Sequence, residues 1–151
     1  MGARPHILVV EDEEAIAKGL KFNFELEGYQ VTVVGDGPSA LARCADESNV
    51  LDVIVLDLML PGMSGYEICR AIRERDPRVP ILVLSARTLS EDKAHAFDCG
   101  TDQYMTKPFA LPELLSRVRN LLARKRRFLN PPGDACDAPD QFRIGNVEVD
   151  F

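Results

Sequence analysis

The sequence predicts an α/β fold: a doubly wound sheet of five parallel strands with five helices over its two faces. Three observations carry this. Short apolar runs alternate with helical patterns from Ile7 to beyond residue 120, the rhythm of strand–helix–strand units. Runs such as ILVV, VIVL and ILVL contain no polar residue, as expected of parallel strands buried on both faces. Four of the runs also end directly in polar residues, which places the chemistry at one rim of the sheet.

Ile7 to Val10 reads as the first strand, and Glu14 to Glu27 as a helix with Ile16, Leu20 and Phe24 on one face. Gly28 ends it. Gln30 to Val34 is the second strand. Asp36 then caps a helix that runs to Ala45 with Pro38 in its first turn. Val53 to Leu56 is the third strand, and Ser64-Gly-Tyr-Glu67 has the spacing of a capping box opening a helix that carries Ile68 and Ile72. Asp76-Pro77 and Val79-Pro80 stop that helix before the fourth strand, Ile81 to Leu84. Ser90 caps the next helix, which ends at Gly100. Tyr104-Met105 forms a short fifth strand, and the last helix begins near Pro112 with Leu115, Val118 and Leu122 at apolar spacing.

After Arg127 the composition changes. Residues 128–140 hold three prolines, a glycine and three aspartates with little to bury, the composition of a linker. Residues 141–151 then alternate around Gly145-Asn146 like the opening of a second domain. The first domain is thus expected over 1–127.

Apolar residues at 46% and charged residues at 28% describe a globular chain. A net charge of −6, with one basic run at Arg124-Lys125-Arg126-Arg127, argues against nucleic-acid binding by the bulk of it. Cys44, Cys69, Cys99 and Cys136 are far apart with no C-x-x-C spacing, and the first three sit among helical apolar residues, which suits small buried thiols in a reducing compartment. No apolar stretch reaches the roughly 18 residues of a membrane span, and no secretory leader is visible. The cytoplasm is the expected compartment.

Glu11-Asp12 ends the first strand, Asp57 the third, Ser85 the fourth and Thr106-Lys107 the fifth. Such ends converge beyond the carboxyl edge of an open sheet, so Asp57 is expected exposed at its lip. Three crowded carboxylates repel unless a cation lies among them. Oxygen ligands without histidine or thiolate select Mg²⁺, Mn²⁺ or Ca²⁺, and few carboxylates plus waters is the usual Mg²⁺ arrangement. With Lys107 as a point charge and Ser85 as a hydroxyl donor, the set describes phosphoryl transfer with Asp57 as nucleophile.

Taken in order, VVEDEE, VLDLMLPGMSG, LSAR and GTDQYMTKPF resemble the receiver domain of bacterial two-component response regulators over roughly residues 5–125. The resemblance implies a CheY-like sheet of order 2-1-3-4-5. Asp57 then corresponds to the phosphoacceptor for a sensor histidine kinase, and Glu11, Asp12, Asp57 and the Met59 carbonyl to the Mg²⁺ ligands. Ser85 and Lys107 would contact the phosphoryl oxygens, and Tyr104 would be the switch aromatic. Pro108 matches the family's usually cis proline, and Met59 and Arg87 fall where the family varies dephosphorylation.

The basic last helix, the linker and FRIGNVEVDF resemble the OmpR/PhoB type, which carries a winged-helix DNA-binding domain, here truncated. That type implies a phosphorylation-dependent homodimer through the fourth helix, fifth strand and fifth helix. Lys93 with Glu113 and Asp102 with Arg124 match two of its ion pairs. Gln103 stands opposite Arg117 where an aspartate is usual, a departure expected to weaken the dimer. Two other readings stay open. A phosphohydrolase would need a second acid beside Asp57, where Leu58 and Met59 stand. A non-phosphorylated module would be expected to lack an acid or the lysine.

Overall fold

The computed structural model describes residues 4–46, 48, 50–60, 62–86 and 99–129, with side chains through Arg124. Of the helix expected over 90–100, residues 90–98, with Lys93 and His95 among them, lie outside the described residues. So do Arg87, residues 130–140 of the linker and residues 141–151, whereas 128 and 129, expected in the linker, still belong to the terminal helix.

Five strands, β1 (His6–Val10), β2 (Gln30–Val34), β3 (Val53–Asp57), β4 (Ile81–Ser85) and β5 (Gln103–Thr106), form one parallel sheet in the order β2-β1-β3-β4-β5. The described helices are α1 (Glu14–Leu26), α2 (Gly37–Ala45), α3 (Gly65–Arg75) and the terminal helix Leu111–Leu129.

Both faces of the sheet are covered, which is why the strands lack alternation. Leu8, Val10, Ile54, Leu56, Ile81 and Val83 point to one side and pack with Ala40 of α2 and Ile68, Cys69 and Ile72 of α3. Ile7, Val9, Val53, Val55, Leu82 and Leu84 point to the other, against Leu20 and Phe24 of α1 and the terminal helix. On that helix the fully buried stripe is Leu114, Val118 and Leu121. Leu115 and Leu122, expected in the core, are only half-buried, because the helix lies rotated by part of a turn relative to that stripe.

The caps form as their residues dictate. Asp36 accepts from the Ser39 N–H at 2.7 Å. Ser64 and Glu67 exchange both bonds of the capping box. Gly28 ends α1 with φ +94°, a conformation that favours glycine. Cys44, Cys69 and Cys99 are free thiols, and burial pushes Cys69 up to about 11. No helix among the described residues is long and apolar enough to cross a membrane.

Candidate functional site

Register builds the site. Val10 pairs with Leu56, so the next residues, Glu11 and Asp57, come abreast at the carboxyl edge. Ser85 pairs with Thr106, which carries Lys107 one step beyond the same edge. Backbone bonds extend the pairing past the strands: Glu11 N–H donates to Val34 O, Leu58 N–H to Leu84 O at 3.1 Å, and Lys107 N–H to Ser85 O at 2.7 Å. The Lys107–Pro108 peptide is cis.

Lys107 Nζ lies 3.1 Å from Glu11 Oε1 and 3.2 Å from Asp57 Oδ2. Carboxylate oxygens of Glu11, Asp12 and Asp57 all fall within 4.8 Å of one another. The remaining Glu11 oxygen accepts from the Glu13 N–H at 3.1 Å, and Asp57 Oδ1 from the Met59 N–H at 3.0 Å. Burial, with Asp57 nearby, pushes Glu11 up to about 7 against the opposing bond from Lys107. For Lys107, burial pulls the ammonium down, but its contacts with Glu11 and Asp57 outweigh that and hold it above the ordinary lysine value.

The structure corrects one expectation. Asp57 is not exposed at the lip: it is 3% exposed, as is Glu11, while Asp12 beside them is open to solvent. Ser85 is likewise fully buried rather than at a rim. The reason is the extra pairing at Leu58 and Lys107, which lays the loops after β3 and β5 over the strand ends. Two buried acids against one lysine leave an uncompensated charge, and all the donors are hard oxygens, so the set fits a divalent cation of the Mg²⁺ kind.

The remaining residues divide between this site and the far face. Tyr104 is buried within β5. Met59 is half exposed and borders, with Asp12, Leu60, Met63 and Tyr66, an open groove beside the acids. Glu113 and Gln103 both bond Arg117 within the chain. Asp102 pairs with Arg73 at 2.8 Å and with Arg124 at 3.9 Å. Sequence reasoning had passed over Glu13, whose carboxylate comes to 4.0 Å of Lys107. Its only signal was its place in the acidic run. It also passed over Arg73, for which no local signal exists.

A family model for the response regulator receiver domain matches residues 7–119. The chain belongs to that family. This receiver is 47% identical over 118 residues to the sensory transduction protein RegX3 of Mycolicibacterium smegmatis, covering 78% of this chain and 50% of that protein. It is 41% identical over 148 residues to the phosphate regulon transcriptional regulatory protein PhoB of Rhizobium meliloti, covering 97% of this chain and 61% of that one. The receiver thus spans about half the length of the curated relatives it matches, and those relatives are OmpR/PhoB-type regulators of transcription. Among solved structures it superposes on the receiver domain of sensor histidine kinase PA1611 from Pseudomonas aeruginosa, which holds a magnesium ion in its active-site cleft. The TM-score is 0.72 at 32% identity, covering 80% of this chain and 99% of that one.

Proposed function

We propose that the receiver is a phospho-switch in which Asp57 accepts a phosphoryl group from a sensor histidine kinase. The observation that carries this is the Lys107 ammonium placed between Glu11 and Asp57 at 3.1 and 3.2 Å. A carboxylate oxygen of Asp57 forms the bond to phosphorus as the donor imidazole leaves with the electron pair of the P–N bond. Glu11, Asp12, Asp57 and the Met59 carbonyl would hold Mg²⁺, which supplies charge neutralisation for the incoming phosphoryl oxygens. Lys107 offers them a positive charge without leaving its strand end. Ser85 contacts the transferred group, and Tyr104 in β5 responds to it.

The receiver acts as a phosphoacceptor rather than a turnover enzyme. Supporting that, the residues after Asp57 are Leu58 and Met59, neither able to activate a water. An apolar pair on the outer side of α1, Phe22 and Leu26, is 63% and 68% exposed and one turn apart. That strip suits docking of a helical protein partner such as the kinase.

Phosphorylation then shifts the population of the face formed by residues 90–100, β5 and the terminal helix, and so drives homodimerisation. Glu113, Arg117, Asp102 and Arg124, with Lys93, are its contacts. DNA is engaged only through a domain that follows the linker. The match to PhoB across 97% of this chain supports reading 141–151 as the start of that domain. The protein works in the cytoplasm.

The test is incubation with Mg²⁺ and acetyl phosphate followed by mass spectrometry. A stoichiometric adduct of about 80 Da, lost in Asp57→Asn, is expected from transfer to an aspartate. Absence of any adduct would sink the reading, and sustained phosphate release would favour a hydrolase.

A further inference from the structure

A second polar node lies at the opposite end of the sheet from the acids. Arg73 closes the last turn of α3, and its guanidinium donates from all three nitrogens. Nε bonds Gly100 O at 2.8 Å, and Nη1 bonds Asp76 O at 3.2 Å and Val79 O at 2.5 Å. Nη2 bonds Asp102 Oδ2 at 2.8 Å. The turn before β5 is shaped around this side chain: Gly100 has φ +103°, and a Cβ there would stand 2.8 Å from Arg73 Cγ.

Asp102 is held from a second direction as well. Its Oδ2 also accepts from the Ile81 N–H at 2.9 Å, while its own N–H donates to Ile81 O at 2.8 Å. The carboxylate cannot rotate without leaving both donors. Its other oxygen, Oδ1, is directed toward the terminal helix, where Arg124 Nη2 comes only to 3.9 Å. That distance is too long for a good hydrogen bond, and the Arg124 side chain is half exposed.

We infer that Arg73 is a positioning residue for self-association: it orders Asp102 so that Oδ1 is presented to the arginine of a second copy's terminal helix. The inference rests on the dimer reading above, in which Asp102 and Arg124 pair between copies. An exposed ion pair contributes little largely because two long side chains must be ordered to make it. Here the acid is ordered before the partner arrives, and pre-ordering a contact is a recognised route to affinity. The same fork leaves the chain's own Arg124 as a weak competitor, since only one carboxylate oxygen remains and it is reached at 3.9 Å. Arg73 also neutralises part of the Asp102 charge, which opposes the geometric effect, and Arg73→Lys, which keeps that charge, isolates the geometry.

The test uses the full chain with Mg²⁺ and beryllofluoride, measuring the dimer dissociation constant by sedimentation. Wild type, Arg73→Gln, Arg124→Gln and the double variant are compared. Arg73→Gln is expected to weaken the dimer roughly three- to tenfold in the wild-type background, the range set by ordering one side chain. In the Arg124→Gln background it should cost less than about twofold, because the contact it serves is already gone. Arg73→Lys, which keeps the charge and loses the fork, should weaken the dimer nearly as much, and it is the milder variant should Arg73→Gln fold poorly. The acetyl phosphate adduct should form at the wild-type rate in both. A wild-type dimer that Arg73→Gln and Arg73→Lys leave unchanged, or a loss equal in both backgrounds, overturns this inference alone. A wild type that stays monomeric overturns the dimer reading and this inference with it.

Discussion

Lys107 Nζ stands 3.2 Å from Asp57 Oδ2, and neither group has much access to water: the lysine side chain is 16% exposed and the aspartate 4%. In that setting an ion pair is held less by its own attraction than by the cost of breaking it. The Glu11 side chain, 1% exposed, shares the same ammonium. Lys107→Ala should therefore destabilise the fold by about 3 kcal/mol in the absence of divalent cations, by leaving two buried acids without a counter-charge. Urea unfolding with and without Mg²⁺ checks this. The loss should be smaller with Mg²⁺, and an identical loss in both would count against a shared site.

Removing one of the acids should act in the opposite direction. Glu11, Asp12 and Asp57 place three carboxylates within 4.8 Å of one another against one lysine. Asp57→Asn keeps the shape and deletes a buried charge, so without metal the variant should melt higher than wild type. With Mg²⁺ at ten times its dissociation constant, wild type gains about 1.4 kcal/mol, worth several degrees in a domain of this size. Asp57→Asn should gain much less. Equal Mg²⁺ shifts in the two proteins would remove Asp57 from the metal site.

Two glycines make a contrasting pair. A Cβ on Gly65 would lie 2.5 Å from Leu58 Cα and 3.1 Å from Asp57 O, both backbone atoms that cannot move aside cheaply. Gly65→Ala should push α3 away from the residue following Asp57, lowering both the melting temperature and the rate of adduct formation. Gly19, on the outer side of α1, has nothing within 4 Å of a built Cβ. Gly19→Ala should stabilise by about 0.5–1 kcal/mol, because the unfolded chain loses freedom that the helix never used. Thermal melts of both variants distinguish a packing role from an ordinary helix effect. A neutral Gly65→Ala would show the close approach to be dispensable.

The sheet was legible because a strand buried on both faces has nowhere to put a polar residue, so ILVV, VIVL and ILVL mark themselves. Asp36 and Ser64 were legible for a different reason: a cap acts over three residues, within reach of local reading. Glu11, Asp12, Asp57 and Lys107 could be collected as strand ends. Their burial could not, since it depends on Leu58 bonding to Leu84 and Lys107 to Ser85, partners well outside the reach of local sequence. Arg73 was invisible for the same reason. Two of its acceptors, Gly100 O and Asp102 Oδ2, lie 27 and 29 residues further along the chain, and nothing near Arg73 in sequence announces them. The phase of the terminal helix failed because Leu114, Leu115, Leu121 and Leu122 offer two overlapping apolar stripes. Only the packed sheet chooses between them.

His6, at the amino end of β1, gives the pH prediction. The ring is buried, with Nε2 2.7 Å from Thr32 Oγ1. Burial lowers its pKa from the ordinary 6.5, and nearby Arg43 adds to that while Asp52 opposes it. A histidine whose folded pKa is depressed binds its proton more readily when unfolded. Its contribution to stability is therefore present above pH 6.5 and is lost as pH falls through the lower, folded value. Glu11 slopes the other way: raised to about 7, it favours the fold below the ordinary carboxylate range and loses that contribution as pH rises through 7. The two must be separated by difference. Between pH 7 and 5, wild type should lose more stability than His6→Gln, with Mg²⁺ held constant so that Glu11 behaves alike in both. Equal slopes for the two proteins would mean that the His6 ring takes up its proton in the folded state without cost.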